Sequence, residues 1–202
     1  MLVMNKPILA AVLAISISFG FMGCSDVSET DPNSPAQTST STTGTALQIG
    51  FNPEQACHFM DSFNLSTSSY RPMYEGADSY LCNSPYLDLG NEDDAVNSPN
   101  NLSYYVRGSN DTAYRLRILL NVNREDEEMA ARIMLAEKAV QLTRLALQID
   151  APPKAVAALG AGKRYKGKRK GYTIEVMRDN WKNGNGYSLE YIIIDPKFND
   201  KA

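Results

Sequence analysis

The sequence predicts an α+β domain: a four-stranded, mostly antiparallel sheet made of two hairpins, packed against one long helix and one or two shorter helices. Three stretches carry that prediction. Asn123 to Ile149 keeps helical hydrophobic spacing over many turns, with no Gly or Pro in its interior. Leu102 to Arg107 and Ala113 to Val122 flank the turn Gly108-Ser109-Asn110-Asp111. Tyr172 to Arg178 and Tyr187 to Ile194 flank Asn183-Gly184 and Asn185-Gly186, so each pair of β-prone segments reads as a hairpin.

The chain has 202 residues, 43% hydrophobic and 21% charged, with a formal net charge of −3. That suits one globular domain able to bury a core without metal or many disulfides. Its first 23 residues carry one charge, Lys6, then an almost unbroken apolar run from Ile8 to Phe21, then Gly23 before Cys24. This is the order of a secretory signal. The segment Phe21-Met22-Gly23-Cys24 resembles the lipobox of bacterial lipoproteins. The resemblance implies removal of residues 1–23 and attachment of a diacylglycerol and an N-acyl chain, such as palmitate, to Cys24. With Ser25 next, it also implies sorting to the outer membrane, facing the periplasm, in a Gram-negative cell. Two or more acyl chains anchor stably, because each buried CH₂ contributes about 0.8 kcal/mol. Residues 24–48 are rich in Ser and Thr, with Pro32, Pro35 and Gly44 and little apolar mass, and are expected to form a disordered tether. The single α+β domain is then 49–202.

Within that domain Asn52 is placed to cap a helix with Pro53 at its first position, and Ala56, Phe59, Met60 and Phe63 supply its apolar face. In an oxidising compartment Cys57 and Cys82 are expected to form a disulfide. From Leu65 to Asn100 turn residues alternate with aromatics and no period holds, although Tyr80-Leu81-Cys82 suits a short buried piece. In Ala113 to Val122, Arg115 and Arg117 alternate with apolar residues, and Leu119-Leu120 breaks the alternation as in a strand lying between two covering layers. Asn123 is placed to cap the long helix, with Asp126 reaching back to it and Glu125 to Glu128 complementing the helix dipole. Glu137, Gln141, Arg144 and Gln148 form one narrow polar stripe. Two apolar faces flank it: Met129, Ile133, Val140 and Leu147, and Met134, Leu135, Leu142, Leu145 and Ile149. Both need cover. Pro152 and Pro153 end this helix, and Pro153 to Leu159 adds a short one closed by Gly160 or Gly162.

The most unusual segment is Lys163-Arg164-Tyr165-Lys166-Gly167-Lys168-Arg169-Lys170, where six of eight residues are basic in a chain of net −3. Charge is therefore strongly segregated. A flexible basic loop of this kind collects anions such as lipid phosphates or acidic cell-wall polymers; the bland alternative is a solvated loop kept soluble by its charge. Trp181, the only tryptophan, sits at the tip of the last hairpin and suits either a contact role beside the basic loop or folding back over the sheet. Asp88, Glu92, Asp93 and Asp94 are close in sequence but lack EF-hand spacing. His58 is the only histidine, so a Ser-His-acid arrangement would need its helix to bring it to a loop serine. Glu175 and Glu190 read as cross-strand partners of basic side chains. No zinc spacing and no phosphate-loop spacing is present, and no nucleic-acid recognition motif occurs. The expectation is a non-catalytic envelope lipoprotein without metal or cofactor, acting as a protein-interaction or assembly module for another envelope protein. The alternatives are a binder of anionic lipid headgroups or cell-wall polyanions through 163–170, and a periplasmic hydrolase with its cleft in 65–100.

Overall fold

The structure, a computed structural model, describes residues 50–90 and 98–197. The chain runs from helix α1 (Pro53–Cys57) through three short strands, β1 (Arg71–Pro72), β2 (Tyr80–Asn83) and β3 (Leu87–Leu89). The first hairpin follows, β4 (Asn100–Gly108) and β5 (Ala113–Val122), then helices α2 (Glu128–Leu147) and α3 (Pro153–Gly160). Strand β6 (Tyr165–Arg169) precedes the second hairpin, β7 (Tyr172–Asn180) and β8 (Tyr187–Ile194). All pair into one antiparallel sheet in the order β1-β2-β4-β5-β8-β7-β6, with β3 joined to β4 beyond the end of β2.

The α+β class and the antiparallel sheet stand as predicted, but the sheet has eight strands, not four. The two predicted hairpins are its middle. Its edges come from segments that carry no strand signal. β1, β2 and β3 hold two to four residues each, too few for a period of two to register. β6 is the basic segment: it is an edge strand rather than a flexible loop, and charged side chains are what keeps such an edge from pairing with another chain.

The alternation of β5 holds from Arg115 to Val122, with Leu116, Ile118, Leu120 and Val122 buried on the helix side and Arg115, Arg117 and Leu119 half-buried on the other. The expected second covering layer is absent among the described residues, where α1, α2 and α3 all pack on one face. That face holds the core: Tyr104, Tyr187 and Tyr191 stand among fully buried Leu and Ile side chains. Buried hydroxyls there are satisfied. Tyr104 donates to the Ala56 carbonyl at 2.9 Å, Tyr191 shares a 2.6 Å bond with Thr143, and Tyr187 donates to Glu128 at 2.7 Å. Burial pushes the Tyr191 phenol up to about 12, and burial followed by the Glu128 bond does the same for Tyr187.

Helix α1 starts as predicted: the Asn52 side chain accepts from the Gln55 amide at 2.9 Å, with Pro53 in first position. The predicted continuation stops short, with α-geometry ending at Cys57 and a 3₁₀ turn at Asp61–Phe63. The Cys57–Cys82 disulfide forms, Cα to Cα 6.1 Å, and ties α1 to β2.

The start of the long helix differs from expectation. Asn123 does not cap it; its side chain donates to the Pro99 carbonyl, and the buried Asn100 side chain accepts the amides of Asn123 (2.7 Å) and Arg124 (2.8 Å) instead. Asp126 pairs with Arg124 at 3.2 Å rather than reaching back. A 3₁₀ turn, Glu125–Glu127, leads in. At the other end Gln148 takes a left-handed conformation (φ 55°), and Lys170 Nζ donates to the Leu147 carbonyl at 2.9 Å, where a cation suits the dipole. The face of Leu135 and Leu142 is fully buried, and Ile149 packs on its rim. Met134 and Leu145, predicted to share that face, are exposed. Of the other predicted face Leu147 is buried, whereas Met129 and Ile133 are 67% and 53% exposed.

Candidate functional site

Antiparallel partners directly opposite one another point to the same side of a sheet, so the register lays out the helix-free face row by row. One row crosses the sheet from Arg71 through Leu81, Arg107 and Arg115, then through Ile194 and Thr173 to Lys168. The next runs from Asn83 through Tyr105, Arg117 and Ile192 to Glu175 and Lys166. These two rows hold six cations and one carboxylate. The following two, Ser103-Leu119-Glu190-Met177 and Asp88-Asn101-Asn121-Ser188-Asp179, hold three carboxylates and no cation. The face is thus basic at the end nearest the Gly108 turn and weakly acidic at the other.

At its basic end lies a depression of about 240 Å³ lined by Met73, Leu81, Tyr105, Arg107, Arg115 and Arg117. Arg107 and Arg115 are direct cross-strand neighbours. Like charges so placed destabilise the pair unless something else lies between or beside them. Arg107 donates Nε to Ser79 Oγ at 3.1 Å, which aims its fork without using its two terminal nitrogens. Arg117 stacks on the Tyr105 ring at 4.3 Å and stands 3.6 Å from Glu190. The neighbouring Tyr105 hydroxyl pushes the Tyr86 phenol above its ordinary value. The disulfide holds the other wall in place, because Cys82 is the neighbour of Leu81 on β2.

The predicted basic residues divide by role. Arg164 donates twice to the Arg178 carbonyl (2.7 and 3.2 Å), Lys170 caps α2, and Lys166 pairs with Glu175, confirming the cross-strand reading of that acid. Tyr165 turns its ring to the core side. Lys163, Lys168 and Arg169 are exposed, and their side chains have no hydrogen bond or ion pair among the described residues. Trp181 folds back: its indole donates to Ser188 at 3.0 Å and lies where a Cβ on Gly186 would be, so Gly186 (φ 125°) is required there. It belongs to the acidic end of the face, not to the arginine groove. Asp88 lies on β3, while Cys24, the tether, Glu92, Asp93 and Asp94 lie outside the described residues. Among the described residues no three His, Cys, Asp or Glu side chains gather as metal ligands, and no helix is long and apolar enough to cross a membrane.

A second depression, about 550 Å³, does bring His58 beside Ser68 and Ser69. His58 pairs with Asp61 at 2.8 Å, but neither serine hydroxyl bonds to the ring, so the nucleophile–base contact of an acyl-transfer site is missing. The arginine groove went unassigned from sequence. Its signal was Arg115-x-Arg117 on the solvent side of β5; what the sequence left open was the turn register that sets Arg107 opposite.

No curated protein and no solved structure matches the chain. A family model does match, described as a family of unknown function, over residues 25–181. That span includes every described element except β8, and it covers more than three-quarters of the sequence. The chain therefore belongs to this family of unknown function, DUF6030.

Proposed function

We propose that the protein is a non-catalytic envelope lipoprotein, anchored through Cys24 at the outer membrane, whose 49–202 domain binds an anionic envelope component with the basic half of its open sheet face. The carrying observation is the pair of rows that place Arg71, Arg107, Arg115, Arg117, Lys166 and Lys168 on one helix-free surface. A surface of one sign raises the local concentration of the opposite charge, and phosphate-rich headgroups are the dense anion of an envelope. Export also removes nucleic acid as a partner.

Two experiments test this. In the first, Cys24→Ala is expected to abolish incorporation of labelled palmitate and to release the protein from membranes; a variant still requiring detergent would refute the anchor. In the second, the unlipidated Cys24→Ala chain is sedimented with phosphatidylglycerol or phosphatidylcholine vesicles. Arg71 and Lys168 are the exposed outer cations of these rows, so changing both to Glu removes four units of positive charge from the surface and is expected to abolish retention on the anionic vesicles at moderate salt. Unchanged retention would sink the reading.

The other reading, an assembly module for an envelope protein, is favoured by exposed Met129 and Ile133 on α2 beside Leu89, around a depression of about 500 Å³. Ile133→Asp would then break a cross-link to the partner while leaving vesicle retention unchanged.

A further inference from the structure

We infer that the groove between Arg107, Arg115 and Tyr105 is a discrete site for a monomeric organic phosphate ester, its phosphate on the arginines and its apolar body on Met73 and Leu81. The inference rests on reading the open face as anion-binding and adds a ligand class to it. Charge selects the head. Opposite residues of an antiparallel pair have Cβ atoms about 4.5–5.5 Å apart, and alternate residues of one strand lie about 7 Å apart, so Arg107, Arg115 and Arg117 can close on one tetrahedral anion. A carboxylate is saturated by a single guanidinium fork, whereas a phosphate monoester offers three oxygens and up to two charges. Arg117 is partly neutralised by Glu190 and stacked on Tyr105, so it serves as the fixed wall. Arg107 presents its terminal nitrogens, which have no hydrogen bond among the described residues.

The walls select the body. Met73 is 51% exposed and faces the groove with Leu81, so a wholly polar anion would leave both in contact with water. About 240 Å³ is the share of roughly eight waters, room for a ligand the size of phenyl phosphate. A headgroup still in a bilayer keeps its apolar part in the membrane and has none to offer these walls. The occupant is therefore a free ester, not a membrane surface.

The test titrates the full chain, in a neutral detergent, with phenyl phosphate, inorganic phosphate and benzoate, followed by calorimetry. Phenyl phosphate is expected to bind at least about tenfold more tightly than either of the others. Arg107→Gln is expected to weaken both phosphates by about tenfold or more, and Arg107→Lys, which keeps the charge and loses the fork, by less. Met73→Ser, at an exposed position, is expected to weaken phenyl phosphate by about fivefold and leave inorganic phosphate unchanged. Equal affinity for the two phosphates, an unchanged Arg107→Gln variant, or benzoate binding as tightly as phenyl phosphate would each overturn the site. Vesicle retention through Arg71 and Lys168 separates the two ideas: its survival beside any of those results removes the groove alone.

Discussion

Reducing the Cys57–Cys82 disulfide should lower the stability of the domain and disassemble one wall of the arginine groove. The bond closes a separation of 25 positions. In the chain-entropy treatment that loop restricts the unfolded ensemble by about 12 cal/mol/K, or about 3.5 kcal/mol at 25 °C. For a domain of this size 1 kcal/mol moves the melting temperature by about 2–4 °C, so the expected loss is about 7–14 °C. The structural consequence is local. Cys57 and Cys82 are both buried, and the bond holds β2 against α1, with β1, Met73 and Ser79 suspended from β2. Thermal melts with and without dithiothreitol, on a Cys24→Ala background that prevents reshuffling, read the global term. Hydrogen exchange reads the local one: amides of β1 and β2 should lose protection while those of β7 and β8 keep theirs. Phenyl phosphate binding should weaken as well, because Leu81 and Met73 are no longer held beside Arg107. Oxidised and reduced protein melting within about 2 °C of each other would refute the reasoning.

Three further outcomes follow from the packing. Leu142→Ala should destabilise by about 2–5 kcal/mol, because that side chain is fully buried, whereas Leu145→Ala, three residues on and exposed, should stay within about 0.5 kcal/mol; denaturant melts of the pair read this directly. Asn100→Ala removes two bonds accepted from the Asn123 and Arg124 amides and one donated to the Arg124 carbonyl, so a loss of about 2–4 kcal/mol is expected, with faster exchange at those two amides. Tyr187 and Tyr191 are pushed up to about 12 in the fold, against about 10 in the unfolded chain. Above pH 10 the unfolded phenols ionise while the folded ones keep their protons, so their contribution is complete below pH 10 and is lost as pH rises towards 12. Melting temperature should fall across that window together with the tyrosinate absorbance rise, and Tyr191→Phe should flatten the fall.

The sequence by itself determined the parts with local signals. Asn52 and Pro53 set the start of α1; the Gly108–Asp111 and Asn183–Gly186 turns set the two hairpins; Pro153 and Gly162 bracket α3. Hydrophobic spacing marked α2, and reading the chain as exported, with two cysteines left after Cys24, implied their pairing. The tertiary structure decided everything that depends on which surfaces meet. Asn123 reads as a cap, yet a buried Asn100 from β4 supplies a better acceptor for its amide. Of two apolar faces on α2, the sheet buries the one with Leu135 and Leu142, and Met129 and Ile133 remain exposed. The basic segment has no strand signal of its own and becomes an edge strand because β7 offers it unpaired backbone groups. Arg107, Arg115 and Arg117 are unremarkable as single residues of a β-hairpin. Their convergence is a property of register, and register is a pairing between strands that no single stretch of sequence contains.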